Sequence, residues 1–255
     1  MPKTHRPKAL VTGFSSGIGL AYSIHLAKQG WDLDLISQNA KRANDAYEKL
    51  NYPHSKYHLA DLSSPEGIQL VTTEVKNPDL IIANAGITKF GEVGSLQQSE
   101  RKELFYLLCL GVIDLLEEYI PKMVSQGRGR IVIISSIGAV TPMPKSSIYA
   151  SAKSAINSYG QSLAKELSAK NVSVTVSLPG YVKTEAHSRA GLHHLRDKVP
   201  GWMWISAEQV VLETEKASLK GKVNVIPGLV YKLVRPFLSM SLANTLWSKI
   251  TKRRS

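Results

Sequence analysis

The chain has 255 residues, enough to bury one large core, and its single cysteine, Cys109, excludes an internal disulfide. The formal net charge is +12, but the basic excess lies mostly after residue 215 and no recognition motif accompanies it, so we expect no nucleic-acid partner. No apolar run approaches the roughly 20 residues that span a bilayer, and no signal-peptide core follows the basic start, so we expect a cytoplasmic protein.

Strands alternate with helices along the first two thirds of the chain, the pattern of a parallel sheet covered on both faces. The predicted strands are residues 9–11, 33–37, 79–83, 131–135 and 172–178. The predicted helices are residues 18–29, 40–50, 69–76, 99–126 and 150–169. No repeat or flexible linker interrupts this order. The sequence therefore predicts a single doubly wound α/β domain over residues 1–230, with a C-terminal helical extension over residues 231–255.

A glycine-rich turn joins the first strand to the first helix and reads Thr12-Gly13-Phe14-Ser15-Ser16-Gly17-Ile18-Gly19. Gly13 would permit the tight turn, Gly17 would let the backbone approach a pyrophosphate, and Gly19 would allow the helix to pack closely on the strand. The amides at the start of the helix would then face the phosphates. A purely structural turn is the alternative, but the position between strand and helix favours binding of a dinucleotide.

Tyr149 and Lys153 are four residues apart in a predicted helix, so their side chains share one face. An ammonium beside a phenol favours the phenolate and lowers the phenol's pKa from its usual value of about 10. Ser136 ends a buried strand, where its hydroxyl can hydrogen-bond a substrate oxygen that gains charge. A surface Tyr–Lys pair is the alternative interpretation.

Five features in order resemble those of the short-chain dehydrogenase/reductase family. They are the glycine turn, Asp61-Leu62, Asn84-Ala85-Gly86, Ser136 ahead of the Tyr149-x-x-x-Lys153 pair, and the run Pro179-Gly180-Tyr181-Val182-Lys183-Thr184. The resemblance covers about residues 8–230. It implies a Rossmann-type fold, hydride transfer between a nicotinamide and a carbonyl or alcohol carbon, and a homodimer or homotetramer.

The resemblance also implies roles for individual residues. Tyr149 would transfer the proton, Ser136 would hold the substrate oxygen, and Lys153 would also bind the nicotinamide ribose. Asp61 would contact the adenine, with a turn cap as its alternative role. The cofactor-binding residues implied besides Tyr149 and Lys153 are Gly13, Ser15, Ser16, Gly17, Ile18, Gly19, Asp61, Leu62, Asn84, Ala85, Gly86, Pro179, Gly180, Val182 and Thr184.

One departure from the family lies in the long central helix. The family usually places an asparagine there, three residues before a glycine, to complete a proton relay. Aligned on Gly111, that position is Leu108, and no asparagine occurs from residue 101 to 120. The departure leaves a second function open, that of a cofactor-binding sensor or regulatory protein with weak or no turnover.

The turn after the second strand bears on the choice of nicotinamide. It reads Ser37-Gln38-Asn39-Ala40-Lys41-Arg42 and lacks the acidic residue that NAD selectivity usually needs, while Asp34 lies too early, inside the strand. Because no carboxylate would repel a 2′-phosphate, Ser37 and Asn39 with Lys41 or Arg42 could bind it. We therefore expect NADP(H) to be favoured over NAD(H). The alternative is that Lys41 and Arg42 form only a solvated helix face.

Residues 183–205 break the strand–helix rhythm and are predicted to form a lid over the carboxyl ends of the strands. The substrate-pocket candidates are Ile137, Val140, Met143, Tyr181, His187, Trp202, Met203 and Trp204. Most are apolar, so a small hydrophobic ketone or alcohol is expected as the substrate. The tryptophans could instead pack as core. His193 and His194 are adjacent and would point about 100° apart on a helix, so no metal site is expected.

The C-terminal extension, residues 231–255, is basic and amphipathic. Leu238, Leu242, Leu246 and Ile250 recur at four-residue spacing, and basic residues cluster beyond them. The interpretation that we favour is that the apolar stripe packs on a partner subunit or covers the pocket. The alternative is a peripheral membrane contact, because a helix of this kind can lie on an anionic membrane surface.

Overall fold

The computed structural model describes residues 6–184 and 199–234. His187, His193, His194, most of the expected lid and the tail from residue 235 onward lie outside these ranges. None of the helices in the two ranges is long and apolar enough to cross a membrane.

Within the described residues, the central sheet has seven parallel strands in the order β3-β2-β1-β4-β5-β6-β9. The strands of this sheet are β1 Lys8–Thr12, β2 Asp32–Ser37, β3 Ser55–Leu59, β4 Leu80–Ala83, β5 Gly129–Ile134, β6 Val172–Ser177 and β9 Asn224–Val225. A separate parallel pair is formed by β7 Tyr181–Val182 and β8 Trp204–Ile205. The strand order reverses between β1 and β4, the switch point at which open α/β sheets bind their ligands.

Helices cover both faces of the sheet. Its central strands are therefore buried on both sides and consist almost wholly of apolar residues. Leu80, Ile81 and Ile82 of β4 are 0% exposed, as are Ile131 and Val132 of β5. The helices are α1 Gly17–Lys28, α2 Ala40–Leu50, α3 Pro65–Glu74, α4 Gln98–Phe105, α5 Gly111–Ser125, α6 Ser147–Glu166, α7 Ala207–Ser218 and α8 Leu229–Val234. The predicted doubly wound α/β class is confirmed.

The region predicted as one helix over residues 99–126 is divided. A π-helical turn, Tyr106–Leu110, separates α4 from α5, and the Gly111 amide donates to the carbonyl oxygen of Tyr106, five residues back. The π turn buries Leu108 and Cys109. Apolar residues continue through the turn, so the hydrophobic periodicity predicts one continuous helix. The extra residue of the π turn leaves no signal in that pattern.

Other elements were not predicted, namely β3, β7, β8, β9 and α7. β3 is an edge strand with alternating partly exposed residues, and β9 has only two residues, so neither carries a clear apolar run. Ser206 caps α7 by accepting a hydrogen bond from the Gln209 amide. The start of α3 is four residues earlier than predicted, because Ser64 caps it and Pro65 occupies its first position.

Candidate active site

A cavity of about 600 Å³ opens at the carboxyl ends of the central strands. It collects residues that follow β1, β2, β4, β5 and β6, together with the first turns of α1 and α6. The predicted cofactor and catalytic residues that line it are Gly13, Ser15, Ser16, Gly17, Ile18, Ser37, Asp61, Leu62, Asn84, Ala85, Gly86, Ser136, Tyr149, Lys153, Pro179, Gly180, Val182 and Thr184. The pocket candidates Ile137, Met143 and Tyr181 line it as well.

Two of the predicted cofactor residues do not line the cavity. Gly19 lies behind the turn, where a Cβ would collide with the carbonyl oxygen of Gly13, so its place serves packing of α1 on the strand. The Asn39 side chain is used within the fold, because its Oδ1 accepts from the Arg42 amide at 3.0 Å and caps α2.

Four of the pocket candidates also lie away from the cavity wall. Trp202 is 60% exposed and Val140 is 37% exposed, whereas Met203 is fully buried as core. Trp204 packs against the ring of Tyr181, with 5.5 Å between ring centroids, and its Nε1 donates to the carbonyl oxygen of Val199. Trp204 therefore packs behind Tyr181, which lines the cavity, and supports the wall without forming its surface.

The glycine turn is locked to the loop after β4. Gly13 has φ +69°, and a Cβ there would lie 2.8 Å from the Cα of Ala85, so a larger residue would force the two loops apart. The Asn84 side-chain amide donates to the carbonyl oxygen of Thr12 at 2.9 Å. The Thr12 hydroxyl in turn accepts from the amides of Asn84 and Ala85, at 2.9 and 3.0 Å.

The start of α1 has the features of an anion-binding helix terminus. Ser16, Gly17 and Ile18 line the cavity, and the first turn contains no acidic residue. The Ser16 side chain, at the N-cap, makes no capping hydrogen bond to that turn, unlike the caps of α2, α3 and α7. Gly17 has no side chain, so its backbone forms the cavity wall there. Its φ of +56° is a conformation that favours glycine. This cradle fits the pyrophosphate of a dinucleotide.

Ser136 lies two residues after Ile134, the last residue of β5, and is buried. Its Oγ accepts a 3.0 Å hydrogen bond from the Gly138 amide, which fixes the hydroxyl at the start of a short 3-10 turn. The next residue, Ile137, donates its amide to the carbonyl oxygen of Pro179 at 2.9 Å. This bond joins the segment after β5 to the Pro179–Thr184 run after the neighbouring strand β6.

Tyr149 and Lys153 lie in the first two turns of α6, and both line the cavity. Lys153 is 6% exposed, and its Nζ donates a 2.8 Å hydrogen bond to the carbonyl oxygen of Ile134. The Ser135 hydroxyl donates to the carbonyl oxygen of Lys153 at 2.9 Å, a second link between α6 and β5. Burial lowers the pKa of Lys153 from 10.5 to about 8.

Leu108 borders the same part of the cavity. It is 1% exposed, and its Cδ2 lies 2.9 Å from the position that a Cβ on Gly86 would take. The Nζ of Lys153 lies 3.9 Å from that position. An apolar methyl group and the buried ammonium therefore share one small region. The neighbouring Cys109 is buried, and burial raises the pKa of its thiol, which fits an inert core cysteine.

The other end of the cavity carries Asp61. Its Oδ1 accepts from the amide and the hydroxyl of Ser63 at 3.0 and 2.7 Å, so it caps a turn while lining the cavity. Partial burial raises the pKa of Asp61, but hydrogen bonds from Ser63 and Gln38 outweigh burial and leave the pKa lowered. Gln38 and Arg42 also line the cavity, at the turn after β2.

Sequence reasoning missed the wall formed by the loop after β4. The additional lining residues include Ile87, Thr88, Lys89, Phe90, Leu96, Leu107 and Thr141. Two ion pairs, Lys89–Glu100 at 2.7 Å and Lys145–Glu92 at 2.6 Å, hold this loop to α4 and to the segment before α6. Apolar residues in a loop directly after a strand's carboxyl end were the signal available in the sequence.

The family model described as short chain dehydrogenase matches residues 7–193. The chain belongs to the short-chain dehydrogenase family. The chain is 31% identical over 200 residues to an uncharacterized oxidoreductase of Bacillus subtilis, covering 75% of this chain and 83% of the relative. It is 29% identical over 188 residues to an uncharacterized oxidoreductase of Staphylococcus epidermidis, covering 72% and 81%.

Two solved structures share the fold of this chain over nearly its whole length. A short-chain dehydrogenase from Sphingobium yanoikuyae in complex with NADPH is 25% identical, with a TM-score of 0.81 and 98% of each chain covered. A ketone-specific alcohol dehydrogenase from Comamonas testosteroni is 22% identical, with a TM-score of 0.79 and coverage of 99% and 98%, which shows the fold alone. The predicted family and the Rossmann-type fold are therefore confirmed.

Proposed function

We propose that this family member is an NADP(H)-dependent carbonyl reductase or alcohol dehydrogenase that acts on a small hydrophobic ketone or alcohol. The observation that carries the proposal is that Ser136, Tyr149 and Lys153 line one cavity with the glycine turn. A bound nicotinamide would supply or accept the hydride. Residues 1–230 would form the catalytic domain, working as a homodimer or homotetramer.

The protein's own groups would handle the oxygen and its proton. The Tyr149 phenol would donate the proton to the carbonyl oxygen in reduction and accept it in oxidation. The Ser136 hydroxyl would hydrogen-bond the same oxygen as it gains charge. The Lys153 ammonium would stabilise the phenolate form, and burial strengthens this effect because the local dielectric is low.

The cofactor would lie along the cavity from Asp61 to Thr184. The first-turn amides of α1 would hold the pyrophosphate, and the absence of an acidic residue from this turn supports that role. Asp61 and Leu62 would contact the adenine, and Asn84, Ala85 and Gly86 would pass beneath its ribose. Val182 and Thr184 would lie against the nicotinamide carboxamide, close to Lys153, which would hold the nicotinamide ribose.

Three observations support NADP(H) over NAD(H). Asp34, the acidic residue inside β2, is 0% exposed and ion-paired with Lys8 and Lys56 at 3.2 and 3.3 Å. Arg42, whose guanidinium suits a phosphate, lines the cavity at the end of β2. The Sphingobium yanoikuyae relative was solved with NADPH.

Replacing Arg42 tests this preference, with its neighbour as control. We expect Arg42→Ala to raise the KM for NADPH about tenfold or more, the effect of losing one charged hydrogen bond, and to leave the KM for NADH unchanged. Lys41→Ala removes an equally exposed cation that does not line the cavity, so it should change neither constant. Equal effects of the two variants would exclude a specific role for Arg42.

The walls beyond the candidate catalytic residues support an apolar substrate. Phe90, Leu96, Leu107, Ile137 and Met143 line this side of the cavity. Lys89, a cation on the same wall, is neutralised by Glu100 at 2.7 Å. An aliphatic or aromatic ketone would therefore desolvate without leaving a buried charge unpaired.

The decisive experiment follows NADPH oxidation by the purified protein over a broad panel of apolar ketones. Turnover that disappears in Tyr149→Phe, while NADPH binding persists, would support the enzyme. Tyr159→Phe is the matched control, because that tyrosine lies on the same helix, donates to Glu117 and does not line the cavity. Tight NADPH binding without turnover on any ketone would instead favour the sensor function that Leu108 leaves open.

A peripheral membrane contact through the basic tail remains part of the proposal. The zero count of Asp and Glu after residue 215 supports it, because anionic lipids attract such a segment. Co-sedimentation with vesicles of phosphatidylserine and phosphatidylcholine should be lost when the chain is truncated after residue 234. Equal sedimentation of the full-length and truncated chains would exclude the contact and leave a soluble cytoplasmic protein.

A further inference from the structure

Tyr231, in the first turn of α8, lies against the run that forms one wall of the cavity. Its side chain is 0% exposed, and its ring covers Gly180 so closely that a Cβ on Gly180 would collide with the ring. Gly180 itself lines the cavity, between Pro179 and Val182. The glycine is thus required by a residue of the C-terminal region, independently of any cofactor.

The Tyr231 hydroxyl joins the two strands of the small parallel pair. It accepts a 2.8 Å hydrogen bond from the Tyr181 amide and donates at 2.5 Å to the carbonyl oxygen of Met203. Tyr181 begins β7, and Met203 directly precedes β8. One buried hydroxyl therefore forms hydrogen bonds with the backbone at the start of β7 and just before β8.

The helix that carries Tyr231 is itself anchored. Glu213 of α7 pairs with Lys232 at 2.5 Å and accepts from the Gly228 amide at 3.2 Å. Gly228 has φ +90°, a conformation that favours glycine, and it turns the chain into α8. The position of the tyrosine ring is thus set by α7 rather than by the wall that it touches.

The Tyr231 hydroxyl is linked to the candidate catalytic serine through one side-chain and one backbone hydrogen bond. The Tyr231 hydroxyl holds the Tyr181 amide, and two residues earlier the carbonyl oxygen of Pro179 accepts from the Ile137 amide at 2.9 Å. Ile137 directly follows Ser136. A shift of residues 179–182 would therefore move both the wall and the hydroxyl of Ser136.

We propose that Tyr231 is a positioning residue, which holds residues 179–184 where they contact the nicotinamide half of the cofactor. This inference rests on the proposed function, because that function assigns the nicotinamide to this wall. Tyr231 touches neither substrate nor cofactor. It acts through the Tyr181 amide and the Gly180 Cα, and it makes the start of the C-terminal extension part of the active-site architecture.

Tyr231→Phe tests the role, because it removes the hydroxyl and keeps the ring on Gly180. Tyr119→Phe is the matched control. Tyr119 is also buried, and its hydroxyl donates to the carbonyl oxygens of Val71 and Val75 at 3.2 and 3.0 Å, away from the cavity. Each variant is measured for thermal midpoint and for the Kd of two probes, NADPH and 2′-phospho-ADP-ribose, which lacks the nicotinamide.

We expect the thermal midpoint to fall by a similar amount in both variants, since each loses one buried hydroxyl. Only Tyr231→Phe should raise the Kd for NADPH, by about fivefold to thirtyfold for the loss of a hydrogen-bonded bridge, and leave the Kd for 2′-phospho-ADP-ribose unchanged. Its kcat should fall as well, because Ser136 shifts, whereas Tyr119→Phe should keep the wild-type kcat.

An unchanged Kd for NADPH in Tyr231→Phe would overturn the proposal and leave a purely structural tyrosine. Equal weakening of both probes would also overturn it, because the defect would then not be confined to the nicotinamide half. Absence of turnover in the wild type contradicts only the proposed function, since the two binding constants decide the role of Tyr231.

Discussion

The ammonium of Lys153 donates a 2.8 Å hydrogen bond to the carbonyl oxygen of Ile134, the last residue of β5. Ser136 stands two residues further along the same chain segment. The bond therefore ties α6, with Tyr149 and Lys153, to the strand end that carries the serine. It also keeps a cation in a buried place, at a cost that can be measured.

That cost predicts that Lys153→Met stabilises the cofactor-free protein. A pKa lowered from 10.5 to about 8 corresponds to about 3 kcal/mol. Losing the hydrogen bond to Ile134 costs about 1 kcal/mol, so we expect a net gain of about 2 kcal/mol in the free energy of unfolding at pH 7. Urea unfolding of both proteins measures it, and a variant less stable than the wild type would contradict the prediction.

The same gain should depend on pH. The wild type bears the full penalty below pH 8, where Lys153 is charged in both the folded and the unfolded chain. As the pH rises from 8 toward 10.5, the folded lysine is neutral while the unfolded one still carries its proton, so the penalty shrinks with each pH unit and is gone near pH 10.5. The stability advantage of Lys153→Met should therefore shrink across this interval, and a constant advantage would exclude burial of charge as its cause.

Leu108→Asn should change the titration of Lys153 rather than the fold. An amide of similar size beside the ammonium would partly replace its lost hydration, and we expect the alkaline limb of the kcat profile to move up by about one pH unit. Leu110→Asn, the same change at the exposed last residue of the π turn and away from the cavity, is the control and should leave the profile in place. Identical profiles for all three proteins would show that Leu108 does not tune the lysine.

Asp34→Asn should weaken the fold and spare the cofactor preference. The buried carboxylate has Lys8, Lys56 and His58 within 3.3 Å, and its loss leaves these groups without their counter-ion. Because the partners are partly exposed, we expect a loss of about 1–3 kcal/mol in the free energy of unfolding. The ratio of kcat/KM for NADPH and NADH should not change, and a change would place Asp34 in cofactor selection.

Gly19→Ala should be far more harmful than an alanine at an open glycine. A Cβ on Gly19 would collide with the carbonyl oxygen of Gly13 and lie 2.6 Å from the Asn84 side-chain nitrogen. We expect a loss of about 1–3 kcal/mol, together with weaker binding of NADPH. Gly201→Ala, where nothing lies within 4 Å of the added Cβ, should be neutral in thermal midpoint and in binding.

Local sequence signals predicted the parts of the site whose backbone conformation is fixed by a few neighbouring residues. The glycine turn and the Tyr149–Lys153 spacing are fixed by φ angles and helical repeat, and both meet in the cavity. The position of Asn39 in the turn after β2 predicts a contact with the cofactor. Its side chain caps α2 instead, because an orphan helix amide lies within its reach.

The rest depended on contacts between distant segments. The Gly180–Tyr231 contact spans about a fifth of the chain, and no pattern near either residue announces it. The wall made by Phe90 and Leu96 comes from a loop whose conformation is set by ion pairs with α4 and with Lys145. Such partners are chosen by tertiary packing, which a single sequence does not display.

The π turn at Tyr106–Leu110 also constrains how this gene segment can change in length. A π turn takes up one extra residue within a helix, so losing one residue here would give a regular α-helical turn and keep α4 and α5 in the same rotational phase. Losing a residue between Gly111 and Tyr119 would instead rotate the faces beyond it by about 100° and separate Tyr119 from α3. We therefore expect a single-codon deletion to be tolerated within the turn and not in α5.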